Sequence, residues 1–528
     1  MPSEVPSRDP SMGPTSTGAP SAAPAAAPPP SAAPAAVPSA VPSAAPSVLP
    51  SIAPSAAPLA PVTAIVYDTA GAGEDHDVMF AYGDVLHRAM RYKEAVVAAG
   101  EDREVTVDFA IYKLAQDGVY TSREDPHGRR AQQGCADNGA TLLRKLVDAA
   151  NAGVRARLLY HNPEELENGQ SGDAVGDYLR ACPPDGPWNG GGSSSDDAGR
   201  TLRVHRANWR DGTYAGQMHN TFLLASHMLA DGRVATNATL VATANVHHPQ
   251  ERNWTESAVL VVDEPGLFAA YRNYFQVLWD HTLAPEDVEG EEDCGAGSCL
   301  SEEFRERMRS DERPRNYVSD DGKVQAFFYP LPGYEIWDVA NNAVAKHVQA
   351  MKHDNPRRRY MKFDMYHLRG GYFVRRLVDD IKDMDVHLRG YYQKDSRQDS
   401  SSSSFLNFQE VHDGDWSVRF GNEQVGYSDN ENATYRLPDC ARATHTKNYL
   451  FSYPDATDER RYVTITGSTN GMDDAYNSKA NNQLVVVEEE LPSGELPPIY
   501  LSHKNLFYGT FNHCLGPPSP VGNYEGGT

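Results

Sequence analysis

GQMHNTFLLASHMLADGRVATNATLVATAN, residues 216–245, sets His219 at the head of an apolar strand and ends a second apolar strand on Asn245. The chain then repeats itself. His445-Thr446-Lys447 precedes Tyr449-Leu450-Phe451, and YVTITGSTN runs from Tyr462 to Asn470. The histidine-to-asparagine spacing is 26 positions in the first copy (219 to 245) and 25 in the second (445 to 470). Eleven positions past each asparagine stand Glu256 and Asn481, leading into the apolar runs Ala258–Val262 and Leu484–Val487. Three landmarks at matched offsets mark a duplication, and a duplication constrains the fold more than any single element does.

Outward from these blocks the two halves replay one order. Order begins near Val62. In the first half, apolar spacing predicts a helix over Asp84–Ala98, a strand over Val105–Leu114, a helix over Leu142–Ala152 stopped by Gly153, and a strand over Val154–Tyr160. A Gly/Ser/Asp-rich loop (165–200) leads into the histidine block, and a helix over Pro265–Trp279 closes the half. The second half predicts a strand (Val324–Tyr329), a helix (Ile336–Met351), a strand (Arg359–Leu368), a helix (Tyr372–Ile381) and a strand (Asp385–Tyr391). A polar loop with a serine run (Asp395–Ser404) precedes the second block. The expected class is α/β, with two similar lobes, each a mixed sheet flanked by helices, related by a pseudo-two-fold axis. The lobes are placed at 62–285 and 321–528, joined by a connecting segment, 286–320, that opens with the acidic run Glu286–Asp293. Residues 1–60 are a loose Pro/Ser/Ala repeat that cannot bury a core, and read as a disordered, partly polyproline II tail.

The 528 residues carry 48 Lys plus Arg against 72 Asp plus Glu, a net charge of −24. That balance opposes a broad electrostatic grip on nucleic acid or on an anionic membrane surface. No apolar run approaches a membrane span, and the start shows neither a basic n-region nor an apolar h-region, so no secretory signal is visible. Six cysteines bracket local segments as Cys135–Cys182, Cys294–Cys299 and Cys440–Cys514, and sequons stand at Asn237, Asn253 and Asn432. These favour a secreted or lumenal, disulfide-bonded glycoprotein. The missing signal points the other way, and the compartment stays open. A monomer is expected.

Two lobes placed face to face bring both histidines to one seam. Two imidazoles on opposite sides of a phosphodiester can run displacement at phosphorus: one attacks, the other protonates the leaving oxygen and then activates water. Lys447, two along the strand from His445, shares its face and can neutralise a non-bridging oxygen. Ser468 and Asn470, with Thr243 and Asn245 opposite, can donate to the remaining oxygens. An acceptor at the unused ring nitrogen would fix each tautomer, and Glu256 is the candidate in the first lobe. No metal and no cofactor is suggested. His227 and His247-His248 read more simply as strand and loop residues than as ligands, and Arg357-Arg358-Arg359 as a solvated strand entry.

The double block, His-x-Lys, then a GSxN strand, then an acid or amide, resembles the phospholipase D superfamily. Met218–Leu224 is similar to its first motif and His445-Thr446-Lys447 to its second, and the similarity extends over 62–513. The resemblance implies a metal-free phosphodiesterase with a phosphohistidine intermediate, His219 as nucleophile and His445 as general acid and base. The implied substrate is a phospholipid or a similar diester, and a single-strand nuclease is the rival within the class. The departures are Thr221 where the family has lysine, Ser226 and Ser452 where an acid often stands, and Ala242-Thr243-Ala244-Asn245 for the first GSxN. They leave open a third reading, a pseudoenzyme that binds phosphate-bearing ligands, with Thr221 and Asn481 as further ligand-binding candidates. Arg252 or a residue of the other lobe is the candidate for the missing charge.

Overall fold

A computed structural model of the chain describes residues 65–68, 78–114, 142–161, 201–207, 218–230, 232–245, 254–282, 302–333, 335–352, 358–368, 371–394, 417–422 and 443–513, with single positions between 175 and 184. The tail, the six cysteines, Asn253, Asn432, the acidic run and the loops at 165–174 and 395–404 lie outside the described residues.

In chain order the first half gives β1 (Ile65–Asp68), α1 (Val78–Ala98), β2 (Thr106–Ile111), α2 (Leu142–Asn151), β3 (Arg155–Tyr160), β4 (Leu202–Arg206), β5 (Thr221–Ala230), β6 (Arg233–Ala242), β7 (Trp254–Thr255), β8 (Ser257–Val261) and α3 (Pro265–Asp280). Next come α4 (Glu302–Arg309), β9 (Tyr317–Val318), β10 (Val324–Tyr329), α5 (Ala343–Ala350), β11 (Arg359–Met365), α6 (Tyr372–Ile381), β12 (Val386–Lys394) and β13 (Ser417–Asn422). The chain continues through β14 (Ala443–Thr444), β15 (Lys447–Pro454), β16 (Arg460–Gly467), α7 (Asp473–Asn477), β17 (Asn481–Glu489) and α8 (Pro498–His513). Among these helices none is long and apolar enough to cross a membrane.

All the described strands but β7 and β14, which pair with each other, form two sheets of one design. The first runs β1-β8-β6-β5-β2-β3-β4; the second, taken from its far edge, runs β9-β10-β17-β16-β15-β11-β12-β13. Apart from β9 the two orders correspond strand for strand. The senses match as well: β2–β3 and β3–β4 are parallel, as are β11–β12 and β12–β13, and the other corresponding pairs are antiparallel. The expected pair of mixed α/β lobes is therefore what the chain builds.

Helices cover the outer faces because their apolar residues recur at helical spacing. Tyr82, Val85, Leu86, Ala89, Tyr92 and Val96 of α1 are fully buried against the first sheet with α2. Helices α5 and α6 do the same for the second sheet. A third core is shared: Phe222, Val241 and Val259 of the first sheet meet Phe328, Leu484 and Val486 of the second around Leu267, Tyr271 and Tyr274 of α3.

The bounds of several elements differ from those expected. The helix over Ile336–Met351 begins only at Ala343, because Asn342 accepts the Ala345 N–H at 3.0 Å as N-cap while its own amide donates to Ile336 O at 2.7 Å, folding the preceding residues into turns. Part of the expected connector, 302–309, is helix α4.

Helix α3 also pins the seam with polar bonds. The Tyr274 hydroxyl lies 3.0 Å from Tyr329 O and 3.1 Å from Asn481 O, and accepts from Asn220 Nδ2 at 3.1 Å. Tyr271 donates to Asn482 Oδ1 at 3.2 Å, and Asn482 Nδ2 donates back to Asn220 Oδ1 at 2.8 Å. Replacing Tyr274 by Phe leaves these buried groups short of a partner. It should cost about 1–3 kcal/mol of unfolding free energy, read from the urea midpoint at unchanged slope.

Candidate functional site

Each histidine block leaves its own lobe to find its supports. The backbone N–H of His219 donates to Ala480 O at 2.8 Å, and Met218 bridges Ala480 in parallel. The N–H of His445 donates to Thr255 O at 3.0 Å, beside the parallel pair β7–β14. In both cases the acceptor immediately precedes the acid or amide of the sequence pattern, Asn481 or Glu256. The match continues inside each lobe. Thr243 N–H donates to Ser257 O at 2.8 Å, as Ser468 N–H does to Asn482 O at 3.1 Å. The Thr243 hydroxyl accepts from Ser257 N, and the Ser468 hydroxyl from Asn482 N.

The rings are held crosswise. His219 Nδ1 lies 2.9 Å from Ser468 O and 2.9 Å from Asn481 Oδ1, both in the second lobe. Asn481 Nδ2 donates to Ala475 O at 2.8 Å, so its oxygen is the atom that faces the imidazole. Two acceptors at Nδ1 place the proton there and leave the lone pair on Nε2. His445 Nδ1 meets Glu256 Oε1 of the first lobe at 2.7 Å. Glu256 thus orients the histidine of the opposite lobe, and Asn481 does likewise.

Charge is concentrated on the His445 side. The Lys447 ammonium donates to Thr243 O across the seam at 3.1 Å and to His445 O at 2.6 Å, and lies 2.8 Å from His445 Nδ1 and 3.1 Å from its Nε2. Both Lys447 and Glu256 are buried. Burial pushes the Glu256 carboxyl up to about 7, against the pull of Lys447 and the Thr243 hydroxyl. Burial brings Lys447 down to about 7, against the pull of Glu256. On the other side, burial and then the charges of Lys447, Lys479 and His445 hold His219 well below the usual imidazole range, with the Asn481 bond opposing. These influences favour the neutral form of the His219 imidazole.

The remaining predicted residues gather at the same seam with different duties. Thr243 donates its hydroxyl to Glu256 Oε2 at 2.6 Å, and Ser468 to Asn481 Oδ1 at 3.1 Å, so both brace the groups that orient the rings. The Thr221 hydroxyl donates to the Ala242 carbonyl. Asn470 accepts the His367 N–H at 3.2 Å on Oδ1, leaving Nδ2 uncommitted among the described residues; Asn245 is buried and forms no hydrogen bond among them. Arg252, His247 and His248 lie outside the described residues, while His227 stacks on Tyr92 of α1 at 5.3 Å.

Sequence reasoning missed a matched pair of tyrosines. The Tyr112 ring lies 4.5 Å from that of His219, and the Tyr366 ring 4.5 Å from that of His445. Each stands one residue past a central strand, β2 or β11. The signal was present as Ile111-Tyr112 and Met365-Tyr366, the same apolar-Tyr step at the same place in both halves.

Gly467 opens the second asparagine turn at φ +140°, where a Cβ would stand 2.5 Å from Asn482 O. Only glycine lets β16 approach β17 so closely there.

No family model matches the chain, and no curated protein matches it. Solved structures that overlap it include phosphatidylserine synthase of Haemophilus influenzae Rd KW20, at 9% identity over 80% of this chain and 85% of that one, TM-score 0.47. Polyphosphate kinase of Porphyromonas gingivalis overlaps at 10% identity over 84% of this chain and 49% of that one, TM-score 0.40, so the chain spans about half of that protein's length. Nuc from Salmonella typhimurium, a phospholipase D family member, overlaps at 13% identity over 42% of this chain and 97% of that one, TM-score 0.23. The duplicated α/β lobes and the paired histidine blocks are the features on which the sequence resemblance noted above rests.

Proposed function

We propose that the chain is a metal-independent phosphodiesterase that works through a phosphohistidine at the seam. The observation that carries this reading is the fixed tautomer of His219: Nδ1 faces two acceptors, so a neutral imidazole offers Nε2 as nucleophile. In the first step Nε2 forms a bond to phosphorus, the ester P–O bond breaks, and His445 gives its proton to the leaving alkoxide. In the second, His445 takes a proton from water, the hydroxide attacks phosphorus, and the bond to His219 breaks. Glu256 stabilises the imidazolium of His445 before the first transfer and after the second. Lys447 and the amides of Asn245 and Asn470 are the donors to the non-bridging oxygens. A phospholipid or similarly small diester is the substrate class we favour, since a net charge of −24 repels a long polyanion. The engagement of the Thr221 hydroxyl with Ala242 supports a second reading, a phosphate-ligand binder whose turnover has lapsed.

Hydrolysis of a chromogenic phosphodiester without metal tests the enzyme reading. His445→Asn should lower kcat by about 10²–10⁴ fold, and a denaturing quench at alkaline pH, where a phosphohistidine survives, should trap the label on His219. Label on His445 reverses the two roles. A parent that is silent, with turnover gained on Thr221→Lys, selects the lapsed site instead.

The charge pair makes a pH prediction. Glu256 is what keeps the buried Lys447 protonated, so Glu256→Gln should let that ammonium lose its proton at lower pH. The alkaline limb of the rate profile then moves toward acid, along with a lower maximum. A limb that stays in place argues against Lys447 as the phosphate anchor.

A further inference from the structure

The two half-sites match in backbone and differ in charge. Beside His445 stands Lys447, two residues along the same strand, anchored on Thr243 O across the seam. At the matching place beside His219 stands Thr221, with its hydroxyl turned to Ala242 O. A diester between the rings has two non-bridging oxygens, and negative charge builds on both as the nucleophile approaches. A cation on one side alone leaves the other oxygen to neutral donors.

Lys479 lies at the deficient side. It immediately precedes Ala480, whose carbonyl accepts the His219 backbone N–H at 2.8 Å, and stands two before Asn481, which meets the His219 ring at 2.9 Å. The residue is only 7% exposed. Its ammonium pairs with Asp474 at 3.1 Å, and that carboxylate is 36% exposed, so water can solvate it when the cation turns away. The charge reaches the ring: after burial and Lys447, Lys479 is the next influence against protonating His219, ahead of His445.

Resting on the phosphodiesterase reading, we propose that Lys479 supplies from the opposite lobe the cation that Thr221 does not, and neutralises the non-bridging oxygen on the His219 side. His219 would then draw both its amide and its cation from the second lobe. The alternative is a structural lysine that closes the turn after α7, where its N–H donates to Asp474 O at 3.1 Å. That role predicts no effect on rate or anion affinity in folded protein.

The test compares the parent, Lys479→Met, Lys479→Arg and the double variant Thr221→Lys/Lys479→Met in two assays. One is metal-free turnover of the chromogenic diester; the other is binding of inorganic vanadate by calorimetry, which needs no turnover. Lys479→Met should lower kcat by about a hundredfold, with little change in KM, and weaken vanadate binding by about tenfold. Lys479→Arg should keep most of both, and Thr221→Lys should restore the double variant toward the parent. Rate and vanadate affinity unchanged in Lys479→Met overturn the proposal. So does an arginine variant as impaired as the methionine one, or a double variant that recovers nothing. Should Lys479→Met fail to fold, Lys479→Gln takes its place, alone and with Thr221→Lys, in the same two assays with the same outcomes. A parent without turnover sinks the enzyme reading alone, and vanadate affinity still decides the role of Lys479.

Discussion

A carboxylate with no exposure to water, Glu256, is tolerable in this fold only because three partners converge on it. His445 meets it from the other lobe, Thr243 donates to its second oxygen, and Lys447 supplies opposite charge nearby. Stripping a buried pair of one member costs on the order of 3–5 kcal/mol, far more than the intact pair contributes. The lobes therefore cannot part at this point without stranding charge. The surrounding construction serves that closure: β7 pairs with β14, Met218 with Ala480, and the tyrosines of α3 clasp Asn220, Asn481 and Asn482.

Where signals are local, the amino-acid sequence could be read directly. Val324–Tyr329 and Tyr372–Ile381 form the predicted strand and helix over the predicted residues, because an unbroken apolar run and a clear helical stripe leave little choice. The edge strands β4 and β13, LRVHR and SVRFGN, escaped notice because half of each is polar. At the site, the offsets identified the histidines and their acid and amide. They did not identify which acceptor serves which ring. The acceptors stand 37 and 36 positions along the chain from their own histidines (219 to 256, 445 to 481), and only the packing of one lobe on the other decides that the supports cross. The same holds for Thr243 and Ser468, whose hydroxyls look like ligand donors on paper and are engaged by the carboxylate and amide they brace.

The two matched halves of the seam differ in charge. The half-site around His445 is ionic, with Glu256 and Lys447; the half-site around His219 has an amide, Asn481, and a hydroxyl, Thr221, at the equivalent places. A carboxylate beside an imidazole favours its protonated form, and an amide oxygen does so only weakly. Identical backbones thus set two chemically distinct rings, one suited to carrying a proton and one suited to staying neutral.

Helices α3 and α8 are each the last helix of a half, and each reaches into the other half: α3 packs on β9 and β10, α8 on β1. Nothing in these bonds requires that the complementary halves come from one polypeptide. Two copies trading halves would rebuild two full sets of the same contacts, as in domain swapping. A covalent tether favours the self-contained form, because it holds each half near its complement at an effective concentration on the order of millimolar. The connecting segment is thereby a thermodynamic part of the assembly, and its length sets how dilute the protein must be before single chains prevail.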